Sequence, residues 1–561
     1  MNQFTWYMDQ EEIEMSASKD ENKLVMSKID TTNMTETQKE DIQLEGSKFI
    51  SIHPKQDSLN FVAPTARYNL RSNIITANEV KLIRVADATI YPGDGHVVIE
   101  KRAKMKTLKN SKIIANNVTR YHKIYNCLTN IYGRKDYSSS GDYDYIDENN
   151  QKETIHFDVI SVDTSLQTYA KGHIGISDNF TLSPHFMYTG DVWLHANSEY
   201  LYFDGATKIS HDCNMQKRYW VKFNADINPR DIYIPIGDTL KDINNNRLVA
   251  GFYLAHDSTY VYSAFLTPKK GYRDDQIIST KGFLYFDKSD KKYKIASKEK
   301  IKEFTLPGNY MSIHASICNI YGEGKMNLGM DYGRVKTFGV GNINNVIQDT
   351  STTIEMLFGV DFFFNKNALE YFAKDLQKAT ALEPVDVNSS VFKKGLAELV
   401  GLKKSEELIS QYAIKGVVKK IPKEIKTTIF FSDLKLKWDS KARSYFSEGK
   451  IGIGNIGDYQ INKYVDGHIV LTKKRSGNVL TMYLQLDDGW WYYFEYARGV
   501  MRVVSSIDEY NLIISSTKPD DRRLKAEKGK KPYSYYPTNV NIVKKFLRQF
   551  EDNETELEDE E

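Results

Sequence analysis

From residue 46 to about 350, apolar and polar positions alternate with a period of two, the mark of strands with one buried and one solvated face. Phe49, Ile50 and Ile52 begin one strand, and Leu59, Phe61 and Ala63 the next. The run 74–85 holds two more, residues 88–91 and 96–100 flank a Pro92-Gly93-Asp94-Gly95 turn, and 103–108 forms another. Asp94-Gly95 between apolar runs predicts a hairpin. Segments 200–209, 283–295 and 434–445 share one grammar: an aromatic residue, an Asp, a short polar loop and a returning strand. Asp suits such a turn because its carboxylate accepts from backbone N–H groups just ahead of it.

The period changes across 353–415. Ala368, Leu369, Phe372, Ala373, Leu376 and Ala379 recur at helical spacing, with Asn365 or Asn367 as N-cap. A second helix is predicted at 389–401 and a third from Ser405. Helices this short are not stable alone. Phe372, Leu376, Leu396 and Leu399 are therefore expected to bury against neighbouring strands, capping a sheet that ends near 350 and orienting the strands of 427–516. The predicted fold is mainly β: an elongated antiparallel β-sheet stack, either an open β-sandwich or solenoid-like, with a small helical insertion. Its segments are 1–45, polar strands (Ile13 and Met15 alternate; Leu24, Val25, Met26 and Ile29 follow) with a mobile loop at 31–40; 46–350, the main β-rich unit; 351–426, the helical insertion; 427–516, a second β-unit; and 517–561, a basic segment, a short helix at 540–550 and an acidic disordered tail.

Composition narrows the class. The 561 residues carry Lys+Arg 76 against Asp+Glu 74, a net charge of +2 that favours neither nucleic acid nor an anionic surface. Aromatic residues reach 12%, which suits half-buried pleated surfaces. No run of 18 apolar residues exists, so no transmembrane helix is expected. Cys127, Cys213 and Cys318 are distant and odd in number, read most simply as three buried thiols, with one disulfide and a spare thiol as the alternative. The first residues lack the basic and apolar regions of a signal peptide. The chain is then either cytoplasmic or a fragment or processed form.

Catalytic motifs are sparse. Gly449, Gly452, Gly454 and Gly457 among isoleucines lack the Lys-Ser/Thr ending of a phosphate loop and read as tight strand packing. Gly322-Glu323-Gly324-Lys325 fails the same test. His211-Asp212-Cys213 and His256-Asp257 are compact, but successive strand residues do not converge on a metal. The expectation is a protein that is not an enzyme, with no catalytic residue, no metal and no cofactor, an unrecognised hydrolase being the less favoured alternative.

Contact surfaces are sought among the aromatics. Trp490, Tyr492, Phe494 and Tyr496 share one strand face, with Trp491, Tyr493 and Glu495 on the other. They form a core strand if both faces are covered, and a platform for sugar rings or acyl chains if one is open. Tyr143 and Tyr145 stand in the stretch 137–145, read as a flexible hairpin tip. The basic stretch 518–548, with Tyr533, Tyr535 and Tyr536, could stack single-stranded nucleic acid. The acidic residues after 550 would compete for it, and a solvated, self-neutralising terminus is expected instead.

Residues 72–114, with ITANEV, ADATIYP and VVIEKRAKM, resemble the short strand repeats of the LptA/OstA type. That resemblance implies an open β-fold carrying lipid in a groove. Gly141-Asp142-Tyr143-Asp144-Tyr145, Leu182-Ser183-Pro184, Gly322-Glu323-Gly324-Lys325 and Arg498-Gly499 resemble the C-terminal part of large envelope proteins of Bacteroidota. Together the two resemblances imply a non-catalytic cell-envelope scaffold or lipid-handling protein in the periplasm or at the outer membrane, once an upstream signal is removed. Its partners would be lipid or lipopolysaccharide acyl chains, or an envelope protein, and no nucleic acid. The alternative is a carbohydrate- or protein-binding surface module.

Overall fold

The computed structural model describes residues 3–16, 34–257, 260–348, 351–487, 489–525, 529 and 532–558. It is mainly β, with 49% strand and 17% helix, in large antiparallel sheets. The chain divides into one unit of residues 1–210 and 220–235 and a second of 211–219 and 236–561. The sequence placed its boundaries elsewhere, near 350 and 427, where the periodicity changes.

The first unit holds a six-stranded and a 13-stranded sheet. Between residues 47 and 115 the chain shuttles between them. Ser47–Ile50 and Asn60–Ala63 lie in the large sheet, Thr65–Asn69 and Ile74–Asn78 in the small one, Ile83–Val85 and Ala88–Tyr91 in the large one, and Val97–Glu100 and Lys104–Met105 in the small one. The hairpin expected at Asp94-Gly95 is therefore overturned. The turn forms, with Gly95 at φ +71° and Asp94 accepting from the His96 N–H at 2.9 Å, but its flanking strands part into different sheets. Val80 N–H donates to Gly95 at 2.9 Å, and this corner contact replaces the hairpin ladder. The expected strand at 103–108 is likewise split between the two sheets.

From Leu108–Ala115 onward the large sheet is a meander. Residues 137–145 are not a hairpin tip. They lie within the 11-residue strand Asp136–Ile146, paired on both sides. The turn expected at Asp204-Gly205 is also absent, because Leu201–Ile209 runs straight through it. There Gly205 faces Gly190, and a Cβ on Gly205 would stand 2.2 Å from the Thr189 carbonyl oxygen. The pair is needed for close backbone approach. The segment read as a mobile loop at 31–40 contains a helix, Glu36–Ile42, started by a capping box in which Thr35 and Gln38 exchange hydrogen bonds. Leu24, Val25, Met26 and Ile29 lie outside the described residues.

In the second unit the sheet is not interrupted by the helices. Ser351–Asp361 pairs antiparallel with Ile429–Asp439, so everything between them is an excursion from two adjacent strands. The helices Lys366–Lys378, Ser390–Val400 and Leu402–Lys415 lie on sheet faces rather than capping an end. Leu357, Phe392, Leu396, Leu408, Tyr412 and Phe430 form one buried cluster between helices and strands. Asn365 accepts from the Ala368 N–H at 3.1 Å as N-cap, and Lys463 Nζ donates to the carbonyls of Leu376, Gln377 and Ala379 at the other end of that helix. The turns expected in 283–295 and 434–445 form, with Asp287 accepting from Ser289 N–H and Asp439 from Ala442 N–H.

Cys213 and Cys318 form a disulfide within the second unit, and Cys127 is a buried free thiol, so the reading of three thiols is corrected to one bridge and a spare. The last helix, Val540–Glu558, continues past residue 550 into the stretch expected to be disordered; 559–561 lie outside the described residues.

Leu396→Ala should cost about 2–5 kcal/mol, as other fully buried Leu truncations do. Because the excursion is packed onto its parent strands, hydrogen exchange should quicken in 351–361 and 429–439 as well as in the helices. Quickening confined to the helices would contradict this packing.

Candidate functional site

The strand Trp490–Ala497 is covered on both faces. Phe372 packs 4.3 Å from Tyr492 between ring centroids, and Tyr510 meets Tyr492 edge-on at 4.8 Å. On the opposite face Phe546 lies 5.7 Å from Tyr493. Tyr492, Phe494 and Tyr496 are thus core residues, Tyr492 donating to Asp375 at 2.5 Å, and only Trp490 is exposed. Tyr145 is buried and donates to the Leu182 carbonyl at 3.0 Å, while Tyr143 is half-buried between His122 and Phe157. Tyr533 and Tyr535 are buried too, beside or in a strand, Ser534–Pro537, paired with Val500–Ser505. None of these six core rings offers an open face.

Glu323 is a buried carboxylate in the second unit. Its carboxylate takes Lys300 on one oxygen and Lys394, at 3.0 Å, and the Tyr321 hydroxyl, at 2.8 Å, on the other. Lys394 Nζ also lies 3.4 Å from the Phe304 ring centroid, and burial pulls its pKa down. The adjoining space is about 30 Å³, room for about one water. With three donors on its two oxygens, Glu323 ties helix Ser390–Val400 to strand Asn319–Met326. Among the described residues no group of three His, Cys, Asp or Glu side chains is arranged to hold a metal.

One cleft lies in the first unit and is lined by both of its sheets. Register aligns six residues across the whole small sheet: Trp6 opposite Ile13, Ile13 opposite Tyr68, Tyr68 opposite Ile75, Ile75 opposite Ile99, and Ile99 opposite Met105. The row two residues along, on the same face, is Phe4, Met15, Ala66, Ala77 and Val97. The intervening row carries Thr5, Glu14, Arg67, Thr76 and Val98. Period-two alternation thus gives the sheet one continuous apolar face.

Part of that face is covered. Ala66, Ala77 and Val97 are fully buried. Next to them a cleft of about 600 Å³ opens, with Tyr68, Ile75, Ile99 and Met105 on one wall and Phe49, Leu59 and Phe61 on the other. Phe49 and Phe61 stack at 5.3 Å. Ile50 and Ile52 stand exposed at the mouth, and at the outer edge of the small sheet Phe4 and Trp6 remain 68% and 60% exposed. The rim is basic. Lys101 and Arg102 are exposed and have no ion-pair partner among the described residues. Arg102 and Ala103 are consecutive left-handed residues, at φ 64° and 59°, and the buried Gln56 amide donates to the Ala103 carbonyl, fixing this turn against residues 54–56.

Sequence reading found the alternation at Ile13 and Met15 and the strands supplying Ile75 and Ile99, but not the site. Local periodicity tells which residues share a face; it does not tell that Ile13 lies opposite Tyr68, 55 positions away. Comparison with protein-family models, with characterised proteins and with solved structures returns no match.

Glu323→Leu should destabilise the protein by about 3–5 kcal/mol, because it leaves the buried Lys300 and the half-buried Lys394 without their counter-charge. Changing Lys300 and Lys394 to Met as well should recover much of that loss in urea unfolding. A mild effect of the single variant would contradict the assignment of Glu323 as a structural clamp.

Proposed function

We propose that the protein is a non-catalytic β-scaffold that holds the acyl part of an anionic amphiphile in the first unit. The observation that carries this reading is the unbroken apolar row from Trp6 to Met105, ending in a 600 Å³ cleft with Lys101 and Arg102 at its rim. A cleft of that volume lies within the range of small-molecule sites. Each methylene moved from water onto such a face gains about 0.8 kcal/mol. The rim cations would meet the charged head group, as point-charge and fork donors respectively. Binding of this kind needs no nucleophile or general base.

A cell-envelope location is part of the proposal. The Cys213–Cys318 disulfide supports it, because such bridges form and persist in oxidising compartments. No helix among the described residues is long and apolar enough to cross a membrane, so the helices offer no anchor of that kind.

The test is lipid extraction and mass spectrometry of purified protein, followed by uptake from phosphatidylglycerol and phosphatidylcholine vesicles. Acyl lipid should be recovered with the wild type and phosphatidylglycerol taken up preferentially. Ile99→Trp should block uptake by filling the cleft, and Lys101→Glu with Arg102→Glu should weaken phosphatidylglycerol uptake about tenfold or more while sparing phosphatidylcholine. Lipid-free protein that takes up neither lipid would overturn the reading.

A further inference from the structure

The second unit contains a separate cleft of about 740 Å³, beside the three-stranded sheet of Val249–Leu254, Val261–Thr267 and Asp275–Ser279. Nothing in the acyl-binding reading uses it. Its lining differs from the first cleft in being mixed polar and aromatic.

Tyr253 lines it. Lys269 Nζ stands 4.7 Å from the Tyr253 ring centroid, and Arg247 acts electrostatically on the same tyrosine. Both cations line the cleft, and neither has a carboxylate partner among the described residues. Among the described residues, Lys281 on the wall pairs with Asp238 at 3.0 Å, and Lys300, also on the lining, pairs with Glu323. Gln276, directly across the sheet from Tyr253, is exposed and presents its amide to the cleft.

Tyr272 stands on the same lining and is 97% exposed. Its exposure is not that of a loose loop. Asp274, itself buried, accepts from Gly271 N–H at 2.7 Å, from the Tyr262 hydroxyl at 2.6 Å and from His256 N–H at 3.0 Å. Lys269 Nζ donates to the Asp274 carbonyl at 3.3 Å. The turn is therefore braced from three directions while it holds an aromatic ring in water. The braced backbone under this exposed ring limits the ordering that contact with a ligand must impose.

We propose that this cleft binds an acidic saccharide. The C–H face of a sugar ring would stack on Tyr272, its hydroxyls would bond to the Gln276 amide and the Asp238 carboxylate, and its carboxylate would meet Arg247 and Lys269. A guanidinium matches a carboxylate with two parallel N–H donors. Lys281 is offset by Asp238 and Lys300 by Glu323, so Arg247 and Lys269 are the cations left for a ligand, too little charge for a dense polyphosphate. One carboxylate per sugar ring fits two cations better than a nucleotide does.

The test uses full-length protein and oligogalacturonate, its carboxyl-reduced neutral counterpart, a glucuronate-containing oligosaccharide and ATP, in isothermal titration. At least one of the acidic saccharides should bind, with the neutral counterpart at least about tenfold weaker, equal to about 1.4 kcal/mol. Arg247→Gln should weaken the acidic ligand about tenfold, and Tyr272→Ala should weaken it without changing thermal stability, since nothing packs on that ring. Failure of both acidic saccharides to bind, equal binding of the neutral one, tighter binding of ATP, or indifference to both substitutions would overturn the proposal. Acyl-lipid uptake by the first unit should be unchanged in Arg247→Gln, which separates failure here from failure there.

Discussion

Cross-strand register in the small sheet of the first unit is the constraint on which its chemistry depends. Tyr68 must sit opposite both Ile13 and Ile75 for the apolar row to be continuous. A slip of one residue would turn Ile75 and Ile99 to the side that carries Glu12, Glu14 and Arg67, and the face would cease to exist. Two features hold the register. Ala66, Ala77 and Val97 are buried and admit no polar exchange, and the corner at Val80 and Gly95 fixes where the chain leaves one sheet for the other. The same crossings that break the expected hairpin set the two sheets face to face, and so make the cleft.

The second unit shows what happens when such faces are fully covered. Its sheet carries Leu357, Phe430, Tyr492 and Phe494 under helices, and each ring or branch finds a partner. Burial there serves stability. In the first unit Phe4, Trp6, Ile50 and Ile52 keep no such cover. An apolar face left open in this way is a cost for solubility, which is why the cleft at the Met105 end of the row, rather than the richest aromatic strand, marks the place to look for a ligand.

Much of the fold was legible in the sequence because strand alternation, Asp-anchored turns and helical spacing are local. The helices after residue 365, the N-cap at Asn365, and the glycine packing at Gly452 and Gly454 follow from neighbours a few positions away. Errors arose where a long-range contact decided the outcome. Asp94-Gly95 carries hairpin chemistry, yet its strands go to separate sheets. Asp204-Gly205 carries turn chemistry, yet the glycine serves a close approach to Gly190. The 351–426 stretch was read as a joint because the periodicity changes there, while the pairing of Ser351–Asp361 with Ile429–Asp439 keeps one sheet continuous. Trp490, Tyr492, Phe494 and Tyr496 stand out for their aromatic content, which does not distinguish a platform from a core; the packing of Phe372 and Phe546 does. The clefts draw on segments far apart in the chain, and no local pattern announces them.

The central claim is that the open apolar row of the first unit takes an acyl chain. Photolabelling tests it most directly: a diazirine-bearing fatty acid, delivered as phosphatidylglycerol in vesicles, is irradiated with the protein and the adducts are mapped by peptide mass spectrometry. The account predicts adducts concentrated in the peptides carrying Phe49 to Phe61, Tyr68 to Ile75 and Ile99 to Met105, and displaced by unlabelled phosphatidylglycerol. Adducts spread evenly over both units, or absent from those peptides, would contradict it.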